Sequence, residues 1–599
     1  MVPSIRGARK RLIVCCDGTW MDSLGSKGSE PQSNVTRISR VLRRTCQDGT
    51  HQIIMYHAGV GSSESKVDKL TGGLFGVGLD QLTTPCVKSI REVYNFICTN
   101  YVDGDDIILI GFSRGAFTAR SVADMIATVG LLTPQGLEWF YGVFEDYENM
   151  GNTDRDLGDF LYPEMLPYRG EKGAAKVKWE TERRLGYKSW LSKASPVMFP
   201  STRRIQLRRS DIKHVKNGLA RYTYEDGQAV RDIAIKAVGV WDTVGTLGIP
   251  PAPFANTQIS DHVENAFHAL ALDEPRYAFR PALWEKLDGN KTNLKQVWFP
   301  GNHAGIGGGW HEQQIANITL AWMCDQLSTI GVEFNQGRMQ DIFTQSLRYS
   351  AGHPFSYVPS SQWTSWLWPK QQLPWANPKI CPVEASGIRR DESECDGKDR
   401  HPIGSEQELW KTARPWGLGQ IRYPTSRLQT MAGTTVRHPG TFMRTDPETN
   451  EDTEQPLLHT NERIHSSVRV RLACQGLGMD DAEIWDCKPL TRNDDGGELW
   501  KLERGSRLDL SSSAENRKPR ELDVDAEGYD ARLYPVEKDD GLWQWVFAGA
   551  DGHPEAVPLV TTLPEEPMTG YWERYLLALT AGSPDVWRWA EENPPFGLS

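Results

Sequence analysis

The chain has 599 residues, of which 39% are hydrophobic, and its formal net charge is −11. This length allows a sizeable core, so we expect one large decorated domain or a domain with accessory parts. Because no basic stripe offsets the acidic balance, nucleic acid is excluded as an expected partner.

Cysteine usage and apolar runs indicate the compartment. Ten cysteines are scattered without a C-x-x-C pair, which favours a reduced protein over a disulfide framework or a zinc site. No stretch approaches the ~18 apolar residues of a membrane-spanning helix. The apolar run behind the basic N-terminus is too short for a signal sequence. We predict a cytoplasmic protein with no transmembrane segment.

Short apolar runs alternate with helical patterns in the first half of the chain. The predicted strands are 11–16, 52–58, 106–112, 233–241 and 295–299. The predicted helices are 34–46, 87–101, 115–130, 262–272 and 311–327. Strands that are apolar at nearly every position are typical of a sheet covered on both faces. The alternation predicts an α/β fold with a doubly wound, mostly parallel sheet.

Two long stretches interrupt this alternation. We divide the chain into a core at 1–345 with a cap-like insertion at about 135–230, a Trp/Pro-rich insertion at 346–465, and a C-terminal accessory region at 466–599 that packs on or follows the core. Tryptophans in the insertions either form a lid or acyl-chain groove, or only attach the insertions to the core. Residues 569–592 have the pattern of one or two amphipathic helices.

One serine lies between two glycines where a buried strand passes into a helix. The run 106–112 ends in Gly111-Phe112-Ser113-Arg114-Gly115, and a helical pattern follows at once. A nucleophile elbow needs this order, because its turn is strained and side chains beside the serine would strike the neighbouring strand and helix. The alternative is a tight turn without chemistry. The strand and helix around it favour a serine nucleophile.

A serine nucleophile needs a base and an orienting acid, which α/β-hydrolases supply in the order Ser, Asp, His. Asp242 follows the fourth predicted strand in "GVWDTVGTLG", where it could equally cap the next element. His303 follows the fifth strand in "VWFPGNHAGIGGGW". His57 and His465 are the rival bases. Cys15 and Cys16 end a buried strand and are interpreted as packing residues.

Six blocks of the sequence together resemble a known family. They are "RLIVCCDGTW", "SNVTRISR", "GFSRGAFTAR", "GVWDTVGTLG", "FHALALDEPRYAFRPALW" and "VWFPGNHAGIGGGW", in that order over roughly residues 10–330. The chain resembles the uncharacterised α/β-hydrolase domain family shared by fungal proteins and the catalytic domain of bacterial type VI secretion phospholipase effectors. Without secretion or toxin features outside this region, a fungal-type intracellular member fits best.

The resemblance implies an α/β-hydrolase-like core and a serine esterase of lipid type. It places the nucleophile on Ser113, the acid on Asp242 and the base on His303. The loop Asp17-Gly18-Thr19 would line the site, and an oxyanion hole would combine an N–H of this loop with that of Arg114. Many bacterial members follow the histidine with Ser-Asp-Val-Gly-Gly, whereas this chain has residues 304–308 as Ala-Gly-Ile-Gly-Gly. This chain therefore lacks the aspartate that many bacterial members carry close to the histidine.

We therefore expect a phospholipase-like or lipase-like hydrolase of carboxylic esters that forms an acyl-enzyme and needs no cofactor and no metal. Its partner would be a small-molecule or lipid ester, with peripheral membrane contact in the lipid case. Two alternatives stay open: a hydrolase of small soluble esters, thioesters or peptides, and a catalytically silent binding module with the same fold.

Overall fold

A ten-stranded sheet organises the protein in the computed structural model. The structure describes residues 9–19, 21–23, 31–59, 79–170, 174–193, 220–221, 223–225, 229–231, 233–244, 257–353, 413–423, 433–445, 452–491, 499–504, 543–548, 560–568, 570–579 and 583–595. The strands of the sheet are β1 (Lys10–Cys16), β2 (His51–His57), β3 (Asp106–Phe112), β4 (Ala237–Trp241), β5 (Asn265–Ala271), β6 (Asn293–Phe299), β7 (Glu462–His465), β8 (Trp500–Arg504), β9 (Trp543–Phe547) and β10 (Thr562–Glu566).

The sheet is mostly parallel, as the alternating pattern predicts. Its order is β8-β9-β10-β7-β6-β5-β4-β3-β1-β2. All pairings from β2 to β10 are parallel, and the two pairings at the other edge, β10 with β9 and β9 with β8, are antiparallel. Strand order reverses around β1, because the chain passes from β2 to β3 on the other side of that strand. Ligands of open α/β sheets bind outside the carboxyl ends of the strands at such a reversal.

Helices cover both faces of the sheet. They are α1 (Asn34–Val41), α2 (Leu79–Asn100), α3 (Arg114–Val129), α4 (Phe140–Glu148), α5 (Ala174–Lys193), α6 (His303–Gly307), α7 (Gln314–Ser328), α8 (Gln336–Gly352), α9 (Ser466–Ala473), α10 (Tyr571–Leu579) and α11 (Ser583–Glu592). Short helical turns lie at Pro134–Leu137, Leu157–Asp159 and Tyr277–Phe279. Two-stranded ribbons pair Leu131–Leu132 with Ala220–Arg221, Thr223–Glu225 with Ala229–Arg231, and Met443–Thr445 with Asp452–Pro456.

Alternate side chains of the central strands enter two separate cores. In β1, Ile13 and Cys15 pack with α1, α7 and the C-terminal helices, while Leu12 and Val14 pack with α2, α3, α4 and α5. Successive side chains of a strand point to opposite faces, so a strand apolar at every position requires a cover on each face. This double burial explains the uninterrupted apolar runs of the sequence.

The helix predicted at 262–272 is wrong. This segment contains β5, which lies between β4 and β6 and is buried along its whole length. A short apolar run has the same composition in a buried strand and in a buried helix, so periodicity alone does not separate them. The two flanking parallel strands decide the conformation here.

The described part of the predicted cap packs on the side of the sheet. Arg184 of α5 pairs with Asp124 and hydrogen-bonds Thr128, and Tyr147 of α4 donates to Asp124. These contacts lie in the C-terminal half of α3, about 16 to 23 Å along the helix from Ser113 at 1.5 Å per residue. Residues 194–219 of the predicted insertion lie outside the described part of the chain.

The sheet continues beyond the core predicted at 1–345. That boundary falls inside α8, and the later strands β7 and β10 extend the parallel sheet from β6. The prediction of one or two helices within 569–592 is confirmed, because this stretch contains the two helices α10 and α11. The Trp-rich stretch at 359–376 lies outside the described residues.

Candidate active site

Ser113 lies at the turn between β3 and α3. Its backbone has φ 57° and ψ −122°, a conformation that non-glycine residues rarely adopt. The turn is held by the Ser113 N–H, which donates to Trp241 O at 3.1 Å. A Cβ at Gly115 would lie 2.2 Å from Cys16 O, and one at Gly111 would lie 2.5 Å from Gly115 O. The two glycines are therefore required by close backbone contacts, as the elbow interpretation expects.

The loop after β1 lies against this elbow. A Cβ at Gly18 would be 3.5 Å from Ser113 Cβ, and one at Gly59 would overlap Gly18 O. The next residue, Thr19, has a buried hydroxyl with no hydrogen-bond partner within the described ranges. The loop thus brings the backbone at Gly18 close to the serine, and the residue after Gly18 carries a buried hydroxyl group without a partner in the described ranges.

The Asp17 carboxylate anchors this loop to α1 and β2. It accepts hydrogen bonds from Ser33 Oγ at 2.7 Å, Thr36 Oγ1 at 2.7 Å and Tyr56 OH at 2.8 Å, and from the Gly18 N–H at 2.7 Å. Burial raises the pKa of Asp17, and these four donors oppose the rise. Asp17 therefore fixes the shape of the loop through its own contacts with α1 and β2.

His303 begins the short helix α6 directly after β6. The Asn302 side chain caps this helix by accepting from the Gly305 N–H, and the His303 N–H donates to Glu274 Oε2 at 3.1 Å. The imidazole lies between two aromatic rings, with centroid distances of 4.7 Å to Phe112 and 4.9 Å to Phe279. Its orientation is therefore fixed by contacts on both sides.

Three side chains from different strand ends form one hydrogen-bonded series. Ser113 Oγ lies 2.8 Å from His303 Nε2, and His303 Nδ1 lies 2.6 Å from Asp242 Oδ2. Asp242 follows β4 with φ 38° and also accepts the Ala271 N–H at 3.1 Å. A serine, a histidine and a carboxylate in this order are the constellation that activates a hydroxyl group as a nucleophile.

The surroundings lower the pKa of both Asp242 and His303. Burial lowers the pKa of His303, and its hydrogen bond to Asp242 only partly restores it. Burial by itself would raise the pKa of Asp242, but the Arg437 guanidinium and the His303 contact outweigh it and hold this pKa well below the ordinary range. The carboxylate is ionised and the imidazole is neutral near pH 7.

Comparison with known proteins identifies the family. Residues 10–326 match the profile of the type VI secretion system phospholipase effector Tle1-like catalytic domain. This match spans more than half of the chain. The chain belongs to the Tle1-like catalytic domain family.

Individual relatives of this Tle1-like chain are distant. An uncharacterized protein of Saccharomyces cerevisiae is 23% identical over an alignment that covers 56% of this chain and 59% of the relative. The chain therefore spans less than two thirds of the length of that curated relative. Two solved structures are each 14% identical: an uncharacterized protein from Pseudomonas aeruginosa, with TM-score 0.28 and coverage of 58% of this chain and 51% of that one, and the Tle1 effector bound to the VgrG spike, with TM-score 0.19 and coverage of 51% and 52%.

The sequence analysis of this Tle1-like chain did not predict Arg437 as a residue of the site. It donates to Asp242 Oδ1 at 2.7 Å and to Asp242 Oδ2 at 3.1 Å, although 195 residues separate the two positions. The segment "TTVRHPG" that carries it has no motif and lies beyond the matched range 10–326. No signal in the sequence links an isolated arginine to a distant aspartate.

The rival bases lie elsewhere in the Tle1-like chain. His57 pairs with Glu92 on α2 at 2.8 Å. His465 is fully buried between Ser467 Oγ at 2.7 Å and Glu573 Oε1 at 2.8 Å, and burial lowers its pKa to about 3. Cys15 and Cys16 are buried, and burial raises the pKa of each thiol. Neither histidine contacts Ser113.

The described part of the chain contains neither a metal-binding cluster nor a membrane-spanning helix. No group of three or more His, Cys, Asp or Glu side chains is arranged to hold a metal ion within these residues. None of the helices in the described ranges is both long enough and apolar enough to cross a membrane.

Proposed function

We propose that this Tle1-like chain is a serine hydrolase that cleaves carboxylic ester bonds of lipids, with phospholipids as the leading class. The supporting observation is the 2.8 Å contact of Ser113 Oγ with His303 Nε2, on a serine held in a strained turn. Membership of a family named for phospholipase effectors supplies the substrate class.

In the proposed reaction, Ser113 Oγ attacks the ester carbonyl carbon while His303 Nε2 takes the hydroxyl proton. Asp242 accepts the hydrogen bond of His303 Nδ1 and stabilises the imidazolium that forms. The tetrahedral intermediate collapses, and the imidazolium gives its proton to the departing alcohol. Water, deprotonated by His303, then hydrolyses the acyl-enzyme and restores Ser113.

The oxyanion of the tetrahedral intermediate needs donors beside Ser113. We assign this role to the Arg114 N–H at the start of α3 and to the Gly18–Thr19 segment, including the Thr19 hydroxyl. The support is the close approach of Gly18 to Ser113 and the buried, unpartnered Thr19 Oγ1 within the described residues. Donors preorganised in a water-excluded site stabilise developing charge more strongly than donors in water.

The Thr19 hydroxyl can be tested directly. Replacing Thr19 with valine keeps the side-chain shape and removes the donor, so we expect kcat to fall on the order of 10²-fold with little change in KM. Steady-state kinetics on a soluble ester measure this effect. Thr19→Ser, which retains the hydroxyl, is the matched control and should stay near wild type. Wild-type kcat in Thr19→Val would remove Thr19 from the oxyanion hole.

The pH dependence follows from the shift of His303. The base must be neutral to accept the serine proton, and burial lowers its pKa below the ordinary value of 6.5. Activity is therefore retained on acidification to below pH 6.5 and is lost as pH falls through the lowered pKa. A profile of kcat/KM against pH, with circular dichroism to confirm folding at each point, measures this limb. An acid limb above pH 6.5 would contradict the expected shift.

The substrate class is tested by comparing phospholipid vesicles with short-chain p-nitrophenyl esters. A lipid hydrolase should prefer long acyl chains and should respond to the vesicle surface, which implies peripheral membrane contact. Hydrolysis confined to the short soluble esters would replace the lipid assignment by the soluble-ester alternative. Absence of any Ser113-dependent turnover would favour a silent binding module.

We also propose a cytoplasmic location. The support is that Cys15, Cys16, Cys46, Cys98, Cys324, Cys474 and Cys487 are all free and buried. Free thiols persist in reducing compartments.

A further inference from the structure

The acid of the proposed triad is bound by a segment that the family match does not include. Arg437 belongs to the described segment 433–445 and is 2% exposed, and both of its terminal nitrogens contact the two oxygens of Asp242. Its guanidinium also donates to Ala271 O at 2.8 Å and to Phe279 O. Arg437 therefore binds the carboxylate together with the backbone at the end of β5 and in the turn Tyr277–Phe279.

Hydrogen bonds attach this segment to the rest of the fold near its start and at Gly440. Near its start, the Thr435 N–H donates to Pro275 O at 2.9 Å, and the Tyr277 N–H donates to Gly433 O at 3.1 Å. Further along, the Gly440 N–H donates to Glu462 Oε2 at 2.9 Å. The loop that it pairs with includes Phe279, whose ring packs edge-on against His303. Arg437 thus contacts both Asp242 and the loop that carries Phe279, whose ring packs against His303.

The positive charge of Arg437 also affects the protonation of His303. Asp242 is fully buried, and a buried carboxylate beside a neutral imidazole would otherwise lack a compensating charge. The Arg437 cation satisfies the Asp242 carboxylate, and it shares Asp242 Oδ2 with His303. Its positive charge therefore weakens the stabilisation that Asp242 gives to a protonated His303. The other groups that face His303 are Ser113, Glu274 through the backbone N–H, and Arg276 beside Glu274.

We propose that Arg437 is a positioning residue of this site: it orients the Asp242 carboxylate and compensates its charge, and it lowers the pH below which His303 becomes protonated. The segment 433–437 is then a necessary part of the active site although it lies outside the family match. This inference rests on the proposed serine hydrolase function.

The test uses Arg437→Gln and Arg437→Lys in the full chain, with kcat/KM measured against pH on a short-chain ester. Without the cation, Asp242 stabilises the imidazolium more strongly, so the acid limb of Arg437→Gln should move to higher pH by about one unit. Its kcat/KM at the optimum should fall on the order of 10²-fold, because the acid is no longer held in place. Arg437→Lys keeps the charge and loses the paired hydrogen bonds, so its acid limb should stay while kcat/KM falls.

Arg444→Gln is the matched control. Arg444 lies on the same segment and binds the buried Glu285 through Nη2 at 2.8 Å and Nε at 2.9 Å. Within the described residues, its hydrogen bonds do not reach Ser113, His303 or Asp242. Its loss should lower the melting temperature and leave the acid limb unchanged. A purely structural role of Arg437 would give the same result in Arg437→Gln, which would overturn the proposal.

Two further outcomes are distinguishable. If Arg437→Gln does not fold, Arg437→Lys decides, because wild-type kcat/KM in a folded Lys variant would overturn the positioning role. Failure of the proposed function shows differently: the wild-type protein itself would give no Ser113-dependent turnover. That result would remove the basis of this inference before any Arg437 variant is compared.

Discussion

Replacing Ser113 with alanine is expected to lower kcat for ester hydrolysis by on the order of 10⁴-fold or more, because serine and histidine of a triad act as a unit. The fold should survive, since alanine removes only the hydroxyl from the same turn. A fluorophosphonate probe followed by intact-mass measurement should give one adduct on the wild-type chain and none on Ser113→Ala.

Ser121→Ala is the matched control for the serine experiment. Ser121 lies on the same helix α3, is 2% exposed, and has no hydrogen-bond partner for its hydroxyl within the described residues. It should keep both labelling and turnover. Equal labelling of Ser113→Ala and wild type would remove Ser113 as the nucleophile, and another residue would have to be sought.

Replacing Arg469 with methionine is expected to lower the free energy of unfolding by about 3–5 kcal/mol. Arg469 of α9 and Glu565 of β10 are both fully buried and form two contacts of 2.9 Å. The substitution leaves the Glu565 carboxylate buried without its cation, which is the costly half of a broken ion pair. Urea denaturation followed by circular dichroism measures the change.

Two comparisons make the Arg469 result specific. The double variant Arg469→Met with Glu565→Gln removes both charges and should recover much of the lost stability. Arg504→Met breaks the more exposed pair with Glu591 at 2.9 Å, where we expect a loss under about 1 kcal/mol. Equal losses for the Arg469 and Arg504 variants would show that burial of the pair does not control its contribution.

Half of the ten strands, namely β1, β2, β3, β4 and β6, could be predicted because they have a local signature. Strands covered on both faces are apolar at every position, and β1, β2, β3 and β6 stand between clear helical patterns. β5 was misread because its small apolar residues allow both conformations. The late strands β7, β8, β9 and β10 were also missed. Each has only four or five residues, and all but β9 include charged residues, so they carry no strand pattern that differs from that of a loop.

The candidate site also contains residues that the sequence predicted and contacts that it did not predict. The sequence predicted Ser113, Asp242 and His303 because each follows an apolar strand, and the carboxyl ends of parallel strands meet at one edge of the sheet. It also predicted that Asp17 would lie near the site, but not that its carboxylate would bind Ser33, Thr36 and Tyr56. The direction of that side chain depends on α1 and β2, which only folding brings beside it.

By itself, the sequence determined the mostly parallel α/β fold and the strained turn at Ser113, because both depend on neighbouring residues: alternating elements in one case, and glycines at 111 and 115 in the other. Only the tertiary structure decided the contact of Arg437 with Asp242 and the continuation of the sheet into β7 and β10. These contacts join positions more than a hundred residues apart. A buried charge is compensated by whatever cation the fold brings to it, and no local pattern records which one that will be.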